Sequence, residues 1–131
     1  MPEYLFLYGT LLPNKAPTET ALLVNRLRRV GPARVAGRLY DLGEYPGAIL
    51  DPAAKTSIHG ELFELPEDPA ILRKFDRYEE FDRENRENSL FIRTRTRVKT
   101  EDGRMRESWV YVYNQNPGRA PRIVDGDYSL C

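Results

Sequence analysis

Two short segments carry residue types whose spacing could support chemistry. The first is Tyr8-Gly9-Thr10-Leu11, which closes the apolar, aromatic run Tyr4 to Tyr8. A glycine after a buried strand allows a sharp turn, and the following backbone amides can then face a carboxylate or a developing oxyanion. An ordinary strand-ending glycine has the same pattern, so this segment alone leaves both interpretations open.

The second segment is acidic and reads Asp76-Arg77-Tyr78-Glu79-Glu80-Phe81-Asp82. It lies at the carboxyl end of a predicted helix, where neighbouring carboxylates and the helix dipole both disfavour ionisation. If Glu79 turns inward beside Phe75 and Tyr78, burial acts in the same direction. Its carboxyl could then accept and donate a proton near neutral pH. A solvated acidic helix end is the alternative.

Other chemistries find little support in the composition. His59 is the only histidine and Cys131 the only cysteine, which excludes a multi-histidine metal site and an intrachain disulfide. We expect a structural or surface role for His59. The glycines are scattered singly, so no phosphate-cradling loop is present. The sequence therefore predicts neither a metal nor a cofactor.

Chain length and charge indicate the number of domains and the kinds of partner to expect. A chain of 131 residues can bury one core, and we expect a single domain over 1–131, as a monomer or small homo-oligomer. Lys plus Arg and Asp plus Glu number 20 each, which favours neither a nucleic-acid nor a membrane partner. No leader-like segment or long apolar run is seen, and the cysteine usage suits a reducing compartment. We predict a cytoplasmic protein.

The remaining pattern indicates the elements that must position these residues. Hydrophobic periodicity predicts strands at 4–8, 34–41, 47–50, 57–65, 90–99 and 107–114, the first of them central and buried on both faces. It predicts helices at 18–30, ended by Gly31-Pro32, and from Pro69 to Tyr78 or Glu79. Asp102-Gly103 suits a hairpin turn, and the tail from about residue 115 reads as irregular. Together these elements predict an α+β domain with a mixed, curved sheet.

Strand 90–99 shows the alternation of a half-exposed strand. Leu90, Ile92 and Val98 would lie on its inner face, whereas Arg93, Arg95 and Arg97 would lie on its outer face.

Five motifs in order resemble the gamma-glutamylcyclotransferase-like family, particularly its branch of gamma-glutamylamine cyclotransferases and avirulence-induced-gene-like plant proteins. The likeness covers most of the chain. Its motifs are a strand entering Tyr8-Gly9-Thr10-Leu11, a turn at Tyr45-Pro46-Gly47, the strand Gly60-Glu61-Leu62-Phe63, the helix end Phe75-Asp76-Arg77-Tyr78-Glu79, and the strand start Phe91-Ile92-Arg93. Phe75, Glu80 and the continuation Leu12-Pro13-Asn14 depart from the family's usual residues.

The resemblance implies a small β-barrel flanked by two or more helices, with a cavity between the first loop and the glutamate. It implies that Tyr8, Gly9, Thr10 and Leu11 bind a gamma-glutamyl substrate and that Glu79 moves protons. Arg93 and Tyr113 are secondary candidates for substrate binding, with core packing or a solvent-facing position as the alternative for each. The implied reaction closes the gamma-glutamyl part to 5-oxoproline and releases an amine, without metal or cofactor. Glu80 is the alternative to Glu79, which is favoured because it directly follows Tyr78 in the motif.

Two other functions remain open at this point. The same cavity could belong to a binding module that does not turn over its ligand, because a fold does not fix a function. Arg93, Arg95 and Arg97, with nearby tyrosines, could bind nucleic acid, although an arginine stripe is usually the solvent face of a strand.

Overall fold

A computed structural model describes residues 3–8, 22–43, 45–79, 81–82, 84–124 and 126. Six strands and one complete helix are delimited in this part of the chain. They are β1 (Tyr4–Leu7), β2 (Arg28–Asp41), β3 (Pro46–Leu50), β4 (Ser57–Glu64), α1 (Pro69–Tyr78), β5 (Phe91–Thr100) and β6 (Met105–Tyr113). Residues 22–24 are also helical, and Arg86–Asn88 form a single 3-10 turn. No helix within the described residues is long and apolar enough to cross a membrane.

Five of the strands close into a barrel. The sheet order is β3-β2-β4-β1-β6-β5, and a second pairing between β2 and β5 joins its ends, leaving β3 as an extra strand beside β2. β1 is central, since it pairs antiparallel with β4 and parallel with β6. The predicted mixed β-barrel with helices is confirmed, as is the central position of the first strand.

The barrel wall separates two hydrophobic cores, and β1 contributes to both. Its alternation sends Phe6 and Tyr8 to one core, while Leu5 and Leu7 join the helical residues in the other. The first core also contains Val98 and Val110 from the hairpin strands, and the second contains Ile71 and Phe75 of α1. β1 is therefore buried on both faces, as its continuous hydrophobicity predicted.

Helix α1 begins where its sequence signals place the start. The Asp68 side chain accepts a hydrogen bond of 3.0 Å from the Ala70 amide, and Pro69 occupies the first turn, where a missing N–H is tolerated. The Glu79 amide donates to the Phe75 carbonyl at 2.9 Å, which places Glu79 at the carboxyl-terminal cap. The helix therefore ends on the glutamate that the sequence singled out.

The predicted helix over 18–30 is wrong at its carboxyl end. Within its described part only residues 22–24 are helical, and β2 already begins at Arg28, six residues before the predicted strand start. Gly31 and Pro32 do not end a helix, because they pair with Leu62 and Glu61 of β4 just after a register shift. Pairing with β4 overrides the helical spacing of the apolar residues in this segment.

The other elements match their predicted positions within a few residues. Gly103 takes the positive φ of the predicted turn between β5 and β6. Within 115–124 and 126 the tail has no helix or strand, but it is bonded to the barrel: the amides of Asp41 and Ile123 donate to Pro121 and Leu39 at 2.8 Å. The irregular tail thus runs along β2.

Candidate functional site

The motif that begins at Tyr8 is bonded to Ala48, the residue that directly follows the Tyr45-Pro46-Gly47 turn. Tyr8 follows β1 directly and is 6 % exposed. Its hydroxyl donates to the Tyr111 carbonyl of β6 at 2.5 Å and accepts from the Ala48 amide of β3 at 3.3 Å. Burial, together with the charge of Glu79, holds the pKa of Tyr8 well above its usual range. Tyr8 therefore joins two motif segments and lies within electrostatic reach of Glu79.

Glu79 has the electrostatics of an acid/base group. It caps α1 beside the fully buried Phe75, and burial raises the pKa of its carboxyl from the ordinary 4.5 to about 8. Desolvation causes this shift because a buried carboxylate loses the water that stabilises its charge. The sequence predicted a raised pKa partly from crowded acids, but burial is the cause, and Asp76 is paired with a cation.

A buried ion pair lies one helical turn before Glu79. Arg93 Nε is 2.9 Å from Asp76 Oδ1, and Arg93 Nη2 donates to Oδ2 at 3.3 Å. The Tyr111 hydroxyl donates to Asp76 Oδ1 at 2.7 Å. The Arg93 guanidinium also lies over the Trp109 ring, 4.5 Å from its centroid. This cluster joins α1 to both strands of the β5–β6 hairpin.

The outward position predicted for Arg93 is wrong. Its side chain is only 10 % exposed, because the residue shares the face of β5 that carries Phe91 and meets α1. The pairing with Asp76 was missed, as was the part played by Tyr111. A signal for it exists in the sequence: Leu72, Asp76 and Glu79 recur at steps of four and three, so the apolar stripe of the helix passes through Asp76.

Tyr113 lies on the same face of β6 as Tyr111, two residues further along. Its ring packs edge-on against Phe91, with centroids 5.6 Å apart, and it is half-buried against Gly47 of the turn motif. A neighbouring open cavity of about 520 Å³ has Tyr45 and Tyr113 in its wall. Tyr113 is thus joined to the motif segments, while its predicted contact with substrate stays a prediction.

The remaining residues considered from the sequence either lie outside the described part of the chain or lie apart from the residues around Tyr8 and Glu79. Gly9, Thr10, Leu11, Glu80 and Cys131 lie outside the described residues, as does the part of the predicted cavity that the loop would line. The exposed His59 donates its amide to the Gly126 carbonyl at 2.7 Å. In the described ranges, no group of three or more His, Cys, Asp or Glu could hold a metal ion.

The arginine stripe is partly used within the protein. Arg93 is bound to Asp76. Arg95 contacts Glu3 at 2.6 Å, and its guanidinium also lies over the Trp109 ring, 4.3 Å from the ring centroid. Of the three arginines, only Arg93 is withdrawn from the surface, whereas Arg95 and Arg97 are exposed on β5.

Sequence comparison identifies one matching family. The family described as "Gamma-glutamyl cyclotransferase, AIG2-like" matches residues 5–130. Among curated proteins, none matches this chain.

Solved structures share the fold at low identity. YkqA from Bacillus subtilis superposes with a TM-score of 0.73 at 22 % identity; the match covers 99 % of this chain, which spans only 40 % of YkqA. An AIG2-like protein from Mus musculus superposes with a TM-score of 0.72 at 22 % identity, and the match covers 92 % of this chain and 84 % of that protein. A structure named gamma-glutamyl cyclotransferase superposes with a TM-score of 0.62 at 12 % identity, and the match covers 93 % of this chain and 70 % of that structure. At such identities these likenesses establish the fold.

Proposed function

The chain belongs to the gamma-glutamyl cyclotransferase, AIG2-like family, and from that premise we propose that it cyclises the gamma-glutamyl part of a gamma-glutamyl amine or peptide to 5-oxoproline and releases the amine. The observation that carries the proposal is the partly buried Glu79 carboxyl, whose pKa is raised to about 8 and which interacts electrostatically with Tyr8, the first residue of the Tyr8-Gly9-Thr10-Leu11 motif. An acid/base group is most effective when its pKa lies near the working pH.

For this reaction the protein has to position the substrate and to transfer one proton. The substrate's α-amino nitrogen attacks its γ-carbonyl carbon, a C–N bond forms to close the five-membered ring, and the C–N bond to the leaving amine breaks. Glu79 takes the proton lost by the attacking nitrogen and returns it to the departing one. Because both reacting groups belong to one molecule, holding them in contact supplies much of the rate enhancement.

The remaining binding roles follow the family motifs. Amides of Gly9, Thr10 and Leu11 would hold the α-carboxylate or the tetrahedral oxyanion, as backbone donors do in other acyl-transfer sites. Tyr8 would act mainly through its ring and backbone, since its hydroxyl is already bonded to Tyr111 and Ala48. Arg93 would have an indirect role without contacting the substrate, because its guanidinium is paired with Asp76.

A panel of gamma-glutamyl amines and peptides tests the proposal. Wild-type protein should release 5-oxoproline and free amine in equal amounts from at least one member. Glu79→Gln, which keeps the shape of the side chain but cannot transfer the proton, should lower kcat/KM by about 10²–10⁴-fold. Glu101→Gln is the matched control, because Glu101 is exposed at the β5–β6 turn.

The outcomes separate the possible errors. If no substrate yields 5-oxoproline, or if folded Glu79→Gln is as active as wild type, the proposal is wrong. Loss of activity in Glu80→Gln with retention in Glu79→Gln would reassign the acid/base residue and keep the reaction. A small acid that binds wild type and Glu79→Ala equally, with no product, would favour the binding-module alternative.

A further inference from the structure

The open cavity of about 520 Å³ lies between the Tyr45-Pro46-Gly47 turn and the tail that follows β6. Its volume is within the range of small-molecule sites, which is about 300–1,000 Å³. Tyr45 and Tyr113 lie in its wall, and both rings pack against Phe91, at centroid distances of 5.7 and 5.6 Å. One part of the wall is therefore built on the packed core beneath the hairpin.

The tail supplies a second part of the wall through Pro117, Ala120 and Pro121. The Ala120 amide donates to the Pro117 carbonyl at 3.0 Å, which closes a turn, and the Asp41 amide donates to the Pro121 carbonyl at 2.8 Å. The two prolines also have a fixed φ. Segment 117–121 is thus held in place on β2, and a preformed wall lowers the cost of ordering the protein around a ligand.

The wall of this cavity is connected to both tyrosines that interact electrostatically with Glu79. Tyr113 lies two residues beyond Tyr111 on the same face of β6, which is about 7 Å along a strand. Ala48, directly after the turn motif, donates its amide to the Tyr8 hydroxyl at 3.3 Å. A substrate whose gamma-glutamyl half is held by the first of these motifs therefore has the cavity as a neighbouring space for its other half.

We propose that this cavity holds the amine half of the substrate, that it selects amines with an apolar or aromatic carbon chain, and that segment 117–121 limits the size of that chain. This inference rests on the proposed function and names the class of amine that the enzyme releases. Tyr113 then contacts the amine half and not the gamma-glutamyl half.

The side chains of the wall carry this choice of ligand. Two tyrosine rings, two prolines, a leucine and an alanine can pack against a carbon chain and release water from it. Asp41 is the one charged residue in the described part of the wall, and its Oδ1 accepts the Gly43 amide at 2.9 Å. A carboxylate on the amine half would face this anion with no cation among the described lining residues to balance it.

Narrowing the cavity tests the size limit. Ala120→Phe should lower kcat/KM for gamma-glutamylphenethylamine by about 10-fold or more, mainly through KM, and should change that for gamma-glutamylmethylamine by less than about 2-fold. Arg119→Phe is the matched control, because Arg119 is the exposed neighbour on the same turn and does not line the cavity. An Ala120→Phe protein that treats both substrates alike, or an equal selective loss in Arg119→Phe, would overturn the proposal.

A charge variant keeps the test decisive if Ala120→Phe fails to fold. Gamma-glutamylphenylalanine differs from gamma-glutamylphenethylamine by one carboxylate on the amine half, so wild type should prefer the phenethylamine compound. Asp41→Asn keeps an oxygen for the Gly43 amide and should reduce that preference by about 5-fold. A wild type without this preference, or a preference that Asp41→Asn leaves unchanged, would count against the proposal.

Binding of phenethylamine alone separates this inference from the proposed function. Added to the protein without substrate, it should shift the backbone amide NMR signals of Tyr113 and Ala120, and Ala120→Phe should weaken its binding. If no substrate yields 5-oxoproline but phenethylamine binds there, the reaction is wrong and the cavity stands as a site for apolar amines. If 5-oxoproline is released while phenethylamine shifts neither signal, the inference alone is wrong.

Discussion

At the scale of single residues, the site holds a carboxyl where its charged form is disfavoured. A carboxyl whose pKa is higher in the folded than in the unfolded protein binds more protons when folded, so ionisation of Glu79 opposes folding. Below pH 4.5 the group is protonated in both states and has no effect; as pH rises from 4.5 through about 8, stability is lost. The property that suits Glu79 to proton transfer thus lowers the stability of the fold.

Glu79→Gln should consequently stabilise the protein under alkaline conditions. The neutral amide avoids the desolvated charge, so its free energy of unfolding should exceed that of wild type by up to about 5 kcal/mol near pH 9, and by about 1 kcal/mol or less near pH 5. Urea unfolding at both pH values measures the difference. Glu101→Gln, at an exposed turn position, should show no such pH-dependent gain. A Glu79→Gln protein equally destabilised at both pH values would contradict the raised pKa.

At the scale of elements, β1 and β4 approach so closely that one position admits only glycine. A Cβ atom on Gly60 would lie 2.2 Å from the Leu7 carbonyl oxygen and 2.9 Å from Phe6 Cζ. The first neighbour is backbone and cannot rotate away, so a side chain here must displace β1 at the end from which Tyr8 projects. This explains in physical terms why the strand motif Gly60-Glu61-Leu62-Phe63 begins with glycine.

Gly60→Ala should lower the free energy of unfolding by about 3 kcal/mol, because the added methyl overpacks a rigid contact. The matched variant is Gly103→Ala, in the β5–β6 turn: nothing lies within 4 Å of its Cβ, and only the positive φ of 83° is unfavourable. That change should cost about 1 kcal/mol. Chemical denaturation of both variants compares them, and a Gly60→Ala protein as stable as wild type would show that the strands are further apart.

Element by element, the sequence predicted what depends on local pattern and missed what depends on pairing. Continuous hydrophobicity placed β1 at the centre, and Pro69 with the helical periodicity that follows it located the start of α1. The helix predicted to reach residue 30 was wrong there because Leu27 and Val30 keep helical spacing. The segment 28–32 is a strand instead, because it pairs with β4, which is distant in sequence. The Asp76–Arg93 pair was missed for the same reason, since the two residues meet only when β5 packs under α1.

At the scale of the whole molecule, neighbouring strands of the barrel are paired over very different lengths. Among the described residues, the β5–β6 hairpin is joined internally by nine residue pairs, but it meets β1 through two pairs and β2 through two more. By contrast, β2 and β4 share eight pairs. The hairpin carries Arg93 and Tyr111, so its attachment to the rest of the barrel also holds the two side chains that are bonded to Asp76 of α1.

We expect the hairpin to open as a unit before the rest of the barrel unfolds. In native-state hydrogen exchange, amides of β6 bonded to β1 should show opening free energies at least about 1 kcal/mol below those between β2 and β4. Arg93→Gln, which weakens the contact to α1, should lower the hairpin value further and leave the β2–β4 value nearer to wild type. Identical opening free energies for both regions would show that the barrel unfolds only as a whole.

The most direct test of the central claim is the pH dependence of kcat/KM for 5-oxoproline release. With Glu79 as the proton carrier, activity should rise with pH along a limb centred near 8, the value to which burial raises the Glu79 pKa, and that limb should be absent from the residual activity of Glu79→Gln. A limb centred near 4.5, or the same profile in the Glu79→Gln protein, would contradict it.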